Sequence, residues 1–341
     1  MKFKKIRVKS HRLLAHEALL RRLHLRYRNN ETLQVEYLKQ RAGFYGEKAL
    51  DYKLSLFPHR EFLHYPNLRL HNFFNYFQID SIILTPKVIF ILEVKHLRGI
   101  IEYHASRKQF LHIRDGETTS YKDPILQVET QKKHLQYWLR QHQIEMPVET
   151  LVVSTNESTI IRNLEDDDLF DHRFVTLENL LFKIEEIYQS YTEKKVDIKD
   201  LHKLYKEMLQ KDEPAKSNLM QQYKISKEHL MHGIFCDSCQ NGHYIKKRYN
   251  WICSNCKEVS KNCHEQVIFD YFLLQDKQIS NAQARDLLKI DSRNTIYRLL
   301  DKMELSKVGE RKGRKYQAPH LSQFPQEAEP KFIQRSVLEQ Y

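Results

Sequence analysis

The sequence predicts an α/β domain followed by two small accessory modules. Three observations predict it. Apolar strand-like runs and helical stretches share residues 38–157. Two Cys-x2-Cys pairs, Cys236/Cys239 and Cys253/Cys256, stand thirteen residues apart. Beyond them, a helix, helix, turn, helix pattern ends in a basic hairpin with Gly309 and Gly313. At 341 residues, two or three domains are expected.

Residues 1–30 carry ten Lys or Arg and one acid, Glu17. Leu13, Leu14, Leu19, Leu20 and Leu23 suggest a basic amphipathic helix, so residues 1–37 read as a helical arm. Such an arm could contact phosphates, lie on a membrane surface, or be the solvated face of a packed helix. A second helix is expected over Phe44–Leu56, after Gly43, with Leu50 and Leu54 on its buried stripe and Glu47 beside them. Strands follow over Phe62–Leu70, Tyr76–Leu84 and Val88–Lys95. Gly99–Tyr103 and Gln109–Ile113 read as a further hairpin.

The stretch Gln78–Lys95 carries the chemistry. Two strands meet at Thr85-Pro86-Lys87, and both faces of the second are apolar until Glu93 and Lys95. A buried strand that ends in charge needs a reason. Glu93 and Lys95, two apart, point to one side, and in a hairpin Asp80 approaches Glu93. Two carboxylates and a lysine are the parts of a Mg2+ (or Mn2+) phosphodiesterase site. The plain alternative is a strand-end ion pair with Asp80 capping a turn.

Asp123-Pro124 opens a helix, with Asp as N-cap and Pro at the first position. Gln127, Gln131 and His134 share one of its faces. Gln127, in the first turn, could reach the carboxylates or a phosphate. Thr150–Ser154 reads as a strand, Leu177–Tyr191 and Ile198–Leu209 as helices, and Gln210–Lys227 as the linker closing a helical segment over 158–228.

Cys236, Cys239, Cys253 and Cys256 have the spacing of a tetrahedral Zn2+ site of the ribbon type, over 229–262. Four thiolates leave no open position, so the zinc is expected to be structural. Over 263–318 the helix order and basic hairpin read as a winged helix-turn-helix. Arg293, Asn294 and Arg298 would lie exposed on the recognition helix. Arg311, Lys312, Arg314 and Lys315 on the wing would contact phosphates. Such modules also bind proteins, which is the second expectation for this segment. Residues 319–341 read as a flexible tail.

Composition narrows the class. The net charge of +12 favours an anionic partner. No apolar run approaches the length of about 20 residues that a membrane span needs, and stable membrane insertion is not expected. The basic start lacks a long apolar core and a small-residue cleavage site, so no signal peptide is read. Five cysteines, an odd number, favour reduced thiols and metal over disulfides. A cytoplasmic location is expected.

Taken together, residues 38–157 resemble the NERD (nuclease-related) domain. The matching pieces are Gly46-Glu47, Ile79-Asp80, Glu93-Val94-Lys95 and Asp123-Pro124 with Gln127. The resemblance implies the PD-(D/E)xK nuclease fold, a mixed sheet flanked by helices. It implies Asp80 and Glu93 as metal ligands, Lys95 as the water-activating or charge-stabilising lysine, Glu47 as an accessory acid and Gln127 as an accessory polar contact. Many members place an acid two residues before the aspartate, where this chain has Gln78. The expected function is a Mg2+-dependent DNA nuclease, a hydrolase delivered by its zinc ribbon and winged helix. The alternative is a non-catalytic nucleic-acid-binding or regulatory protein. A membrane-surface adaptor is the third class.

Overall fold

The structure, a computed structural model, describes residues 1–236, 238–239 and 242–330, apart from the side chains of Phe3 and Lys312. It divides into two compact units, Met1–Arg7 with Arg41–Pro214, and Val8–Gln40 with the chain from Ala215 onward. The chain opens with β1 (Lys2–Phe3), α1 (His11–Arg22), α2 (Leu25–Arg28) and α3 (Glu31–Ser55). Strands β2 (Leu63–His71), β3 (Tyr76–Leu84), β4 (Ile89–Lys95), β5 (Ile100–His104), β6 (Gln109–Arg114) and β7 (Glu117–Tyr121) precede α4 (Pro124–Gln141). Then come β8 (Val148–Ser154), β9 (Ile160–Asn163), α5 (Asp168–Arg173), β10 (Phe174–Thr176), α6 (Leu180–Ser190) and α7 (Ile198–Lys211).

The first unit is built on a six-stranded mixed sheet, ordered β1-β2-β3-β4-β8-β10. The central hairpin pairs Ser81 with Leu92 and Leu84 with Ile89, and β4 runs parallel to β8. One face of the sheet packs Ile79, Ile82, Leu84, Ile89 and Ile91 with Leu135, Trp138 and Leu139 of α4 and with Leu201, Leu204, Tyr205 and Met208 of α7. The other face packs Ile83, Phe90, Leu92 and Leu151 with Leu50 and Leu54 of α3 and Leu180 and Ile184 of α6. Burial on both faces is why β4 reads as an unbroken apolar run. A second sheet, β7-β6-β5-β9, packs Ile101, Tyr103 and Phe110 with Ile125 and Val128 of α4.

Several expectations change. The helix expected to start at Phe44 starts at Glu31, because Leu33, Tyr37 and Leu38 upstream are also buried. Gly43 lies inside it with open space around the missing side chain, so it does not act as a boundary. The expected helical arm begins instead as β1, which adds parallel to β2 through Lys2 and Leu63. The stretch read as a linker contains a buried turn of helix, α8 (Leu219–Gln222), with Leu219 and Met220 inside.

In the second unit, β11 (Tyr244–Lys247), β12 (Asn250–Cys253) and β13 (Val259–Ser260) form an antiparallel sheet. Helices α9 (Cys263–Leu274), α10 (Asn281–Leu288) and α11 (Arg293–Lys302) follow. A second small sheet joins β14 (Gln278–Ser280), β15 (Lys307–Val308) and β16 (Lys315–Gln317) in the order β14-β16-β15. The basic residues of the N-terminal helix are held inside this unit. Lys9 pairs with the buried Glu17 at 2.7 Å. Arg21 reaches Asp270 of α9 at 2.8 Å, and Arg22 donates to the carbonyl of Gly233. For Lys9, Arg21 and Arg22 these pairings favour the packed helix, among the three readings of this arm, over a free phosphate-contacting face. The expected flexible tail is ordered at its start: Phe324 is buried and lies 4.9 Å from the Phe269 ring. Residues 331–341, the rest of that tail, lie outside the described residues.

Candidate functional site

The central hairpin brings Asp80 and Glu93 to one end of the sheet. Asp80 Oδ2 accepts a hydrogen bond from the Val94 backbone N–H at 3.0 Å. Glu93, at the end of the apolar β4, is 4% exposed and fully engaged by donors. Its Oε1 accepts from Lys95 Nζ at 2.8 Å and Gln127 Nε2 at 2.7 Å. Its Oε2 accepts from Gln131 Nε2 at 2.9 Å. Lys95 Nζ also donates to Gln127 Oε1 at 3.0 Å, closing a triangle among the three side chains. Gln127 and Gln131 are one turn apart on α4, which Asp123 caps by accepting from the N–H groups of Ile125 and Leu126. The cap and Pro124 set where the helix starts, and hence where both amides meet Glu93.

Side-chain alternation breaks beside Asp80. Phe77 and Ile79 pack in the same core as Ile82 and Leu84, although an odd and an even pair cannot share one face of a regular strand. Across from this point, Asn67 has φ +48°. The alternation is regular from Tyr76 to Asp80, so Gln78 and Asp80 share the face opposite Phe77 and Ile79, and the break follows Asp80.

Helix α3 supplies the third carboxylate. A Cβ on Gly46 would sit 2.6 Å from His96 Cβ and 2.7 Å from Thr155 Oγ1, so glycine is what lets α3 approach the ends of β4 and β8. Glu47 and, one turn on, Asp51 then face Arg7. This arginine, its side chain 1% exposed, was read in the sequence only as one of ten N-terminal cations. It donates to both Asp51 oxygens at 2.8 Å, to Glu47 Oε2, to Ser81 Oγ at 2.7 Å and to the Asp80 carbonyl at 3.1 Å. All five N–H groups of the guanidinium are thus engaged. Burial opposes its charge, but Asp51 and Glu47 outweigh that and hold its pKa above the usual value. Beside it, His64 is pushed down to about 3 by burial and by Arg7, so it is neutral.

Four carboxylates, Glu47, Asp51, Asp80 and Glu93, thus surround two cations, Arg7 and Lys95. The imbalance falls on Asp80. Burial, then Glu93, then Glu47 raise its pKa well above the ordinary carboxylate range. Burial likewise raises that of Glu47, against the pull of Arg7. Asp80 Oδ1 has no hydrogen-bond partner among the described residues. An oxygen-only donor set with excess negative charge and an open carboxylate oxygen fits a hard divalent cation such as Mg2+, which is usually held by one or two carboxylates plus water and phosphate.

The cysteine cluster is of a different kind. Among the described residues, Cys236, Cys239, Cys253 and Cys256 form the one group of three or more metal-ligating side chains, their sulfurs within 4.8 Å of one another. Cys236–Cys256 and Cys239–Cys253 are each 3.6 Å apart. Tetrahedral Zn–S bonds of about 2.3 Å would set sulfurs roughly 3.8 Å apart, so the cluster could hold zinc. Gly242 permits it, since a Cβ there would lie 2.9 Å from Asn255 Cβ and collide with the Cys253 sulfur. Cys263 opens α9 outside the cluster, and His264 is buried, with its Nδ1 3.2 Å from Trp251 Nε1.

In the third helical region, Ser292 caps α11 through Thr295 N–H, and Ile296, Leu299 and Leu300 are buried. Arg293, Asn294 and Arg298 are exposed on its other side. Arg311 and Lys315 are exposed and Arg314 is half-buried. The side chain of Lys312 lies outside the described residues.

Residues 42–155 match the family model of the nuclease-related domain, NERD. This segment is similar to nuclease-related domains. The match spans about a third of the chain and takes in Gly46, Glu47, Asp80, Glu93, Lys95 and Gln127, while Arg7 lies before it. No curated protein and no solved structure matches the chain. Arg7, Asp51, Ser81 and Gln131 were missed as site residues by sequence reasoning. Gln131 alone carried a signal, its one-turn spacing from Gln127.

Proposed function

We propose that this chain is a divalent-metal-dependent nuclease of the PD-(D/E)xK type acting on DNA. The observation that supports it most is the closed contact of Lys95 with Glu93 and Gln127, set beside an Asp80 oxygen with no partner. Asp80 and Glu93 would hold Mg2+ or Mn2+, which when bound polarises a phosphoryl group and lowers the pKa of a coordinated water. Lys95, held by Gln127, would donate to a non-bridging phosphate oxygen or orient the attacking water as charge builds in the transition state. Gln131 keeps Glu93 in place. Glu47 acts at one remove, balanced by Arg7.

In the same reading, the four cysteines hold a structural zinc. The region from α9 to β16 serves as a winged helix that brings Arg293, Asn294, Arg298, Arg311, Lys312, Arg314 and Lys315 to DNA, in the cytoplasm. Among the described residues, no helix is long and apolar enough to cross a membrane. The engagement of both Glu93 oxygens by internal donors is the observation that favours the second reading, a nucleic-acid-binding protein that does not cleave.

Supercoiled and linear DNA incubated with Mg2+, Mn2+ or neither test the two. Lys95→Ala should lower cleavage by about a hundredfold or more and leave DNA affinity within a few-fold. Cleavage by that variant at the wild-type rate would remove the proposed site. Metal-independent binding without any cleavage would establish the second reading.

A further inference from the structure

The hairpin joining β2 to β3 ends in Asn72-Phe73-Phe74-Asn75, and the function above makes no use of it. Phe73 is 75% exposed and Phe74 68%. Neither position is slack. Phe73 has φ +74°, a backbone region that bulky residues rarely occupy. Asn72 N–H donates to the Asn75 carbonyl at 3.1 Å. Asn72 Oδ1 accepts from the N–H groups of Phe74 and Asn75, and its Nδ2 lies 2.6 Å from His134 Nδ1 on α4. A two-residue turn with positive φ at its first central residue alone favours glycine there. Here it displays two aromatic rings in water on a strained and braced backbone.

The rings belong to a larger aromatic surface. Phe73 and Phe74 meet edge to face at 5.4 Å, and Phe74 lies 5.7 Å from Tyr137. Behind them Tyr76 is 46% exposed, covered on one side by the Arg69 guanidinium at 3.9 Å, with its hydroxyl donating to Glu213. No carboxylate occurs in the sequence between Glu61 and Asp80.

The place of this surface suggests what it binds. Phe74 is six residues from Asp80 along the chain, about 20 Å at 3.3 Å per residue. On α4, Gln127 at the carboxylates and Tyr137 at Phe74 are ten apart, about 15 Å at 1.5 Å per residue. Two independent elements thus set the aromatic tip about 15–20 Å from Asp80 and Glu93, a few nucleotides along an unpaired strand. Aromatic rings beside a cation are what stacks unpaired bases without regard to sequence.

We propose that Phe73 and Phe74 form a stacking wedge for unpaired nucleobases a few nucleotides from the carboxylate site, so that the substrate is single-stranded or splayed nucleic acid. The choice of partner rests on the nuclease reading; the wedge itself is tested without cleavage.

The test uses the full chain carrying Asp80→Asn, so that the probe survives, with fluorescently labelled single-stranded, forked and blunt-duplex oligonucleotides of DNA and RNA. The unaltered tip should bind the single-stranded and forked probes more tightly than the duplex. Phe73→Gly and Phe74→Ala should each weaken that binding by about tenfold and change duplex binding by less than about twofold. Phe73→Gly should also raise Tm, because glycine accepts the positive φ; weaker binding by a more stable protein separates stacking from folding. Equal affinity for all probes, or no effect of either variant, would overturn the wedge. So would a change of oligomeric state in the variants with unchanged nucleic-acid affinity, which would make the tip a protein contact. Cleavage by the wild-type chain that ignores both variants would leave the nuclease reading and remove the wedge. Tip-dependent binding with no cleavage would do the reverse.

Discussion

The carboxylate site and the cysteine cluster are two answers to gathering like-charged ligands. The cysteines come from 21 consecutive positions, on one hairpin and its flanking loops, and all four sulfurs converge. The carboxylates come from α3, β3 and β4, and the arginine that balances two of them comes from near the N-terminus. A closed set of four soft ligands leaves no room for substrate, whereas the carboxylate site keeps one oxygen of Asp80 open. In the proposed reading, the difference teaches that a structural site can be local and complete, while a site suited to chemistry is assembled over long range and left electrostatically unfinished.

Removing the zinc proposed for the four cysteines would break the comparison hardest. Zinc in sites of this type contributes about 10–16 kcal/mol of folding free energy. A chelator strong enough to strip zinc should therefore expose 236–256 to protease while the unit built on the six-stranded sheet keeps its thermal transition. Simultaneous loss of both transitions would show that the cluster is not locally complete.

Arg7→Ala comes next. It leaves Asp51 and Glu47 without their buried partner, a change that typically costs about 3–5 kcal/mol. Chemical denaturation would read it, and a loss under about 1 kcal/mol would mean that water replaces the guanidinium. Arg7→Lys should recover little, since an ammonium cannot make the two-pronged contact with Asp51.

Asp80→Asn sharpens the electrostatic half by a smaller amount. The folded pKa of Asp80 lies above its ordinary value of 3.8, so its ionisation opposes folding. That unfavourable contribution is absent below pH 3.8, grows as pH rises from there to the folded value and is complete above it. At neutral pH without added divalent metal, Asp80→Asn should therefore raise Tm. Added Mg2+ should stabilise the wild type and leave the variant unmoved. A lower Tm for the variant in metal-free buffer would show that the carboxylate is not in excess.

The smallest effect concerns the exposed cations of α11. Arg293→Ala should lower the slope of log affinity against log salt by about one, with little change in fold. An unchanged slope would reassign this helix to protein contacts.

The sequence was most legible where neighbours in the chain do the work. The Cys-x2-Cys spacing, the Asp123 cap and the apolar run of β4 are local patterns, and the positions of Asp80, Glu93 and Lys95 follow from hairpin geometry. The N-terminal segment was the least legible. Lys9, Arg21 and Arg22 look like surface charge in sequence, but each is bound to a partner inside its own unit. Arg7 could not be told from its neighbours Lys5 and Lys9, because its partners Glu47, Asp51 and Ser81 are 40 to 74 positions away.

By itself the sequence determined the strands of the central hairpin, the start of the helix capped by Asp123, the four thiols and the identity of three groups at the sheet end. Each rests on a repeat, a cap or a spacing of a few residues, which the backbone reads locally. The tertiary structure alone decided how charge is balanced among them. It did so by burying Arg7, by using Gly46 to let α3 approach, and by leaving Asp80 with one more negative neighbour than its cations offset. Coulomb interactions and burial depend on distance in space, and no spacing along the chain encodes that distance.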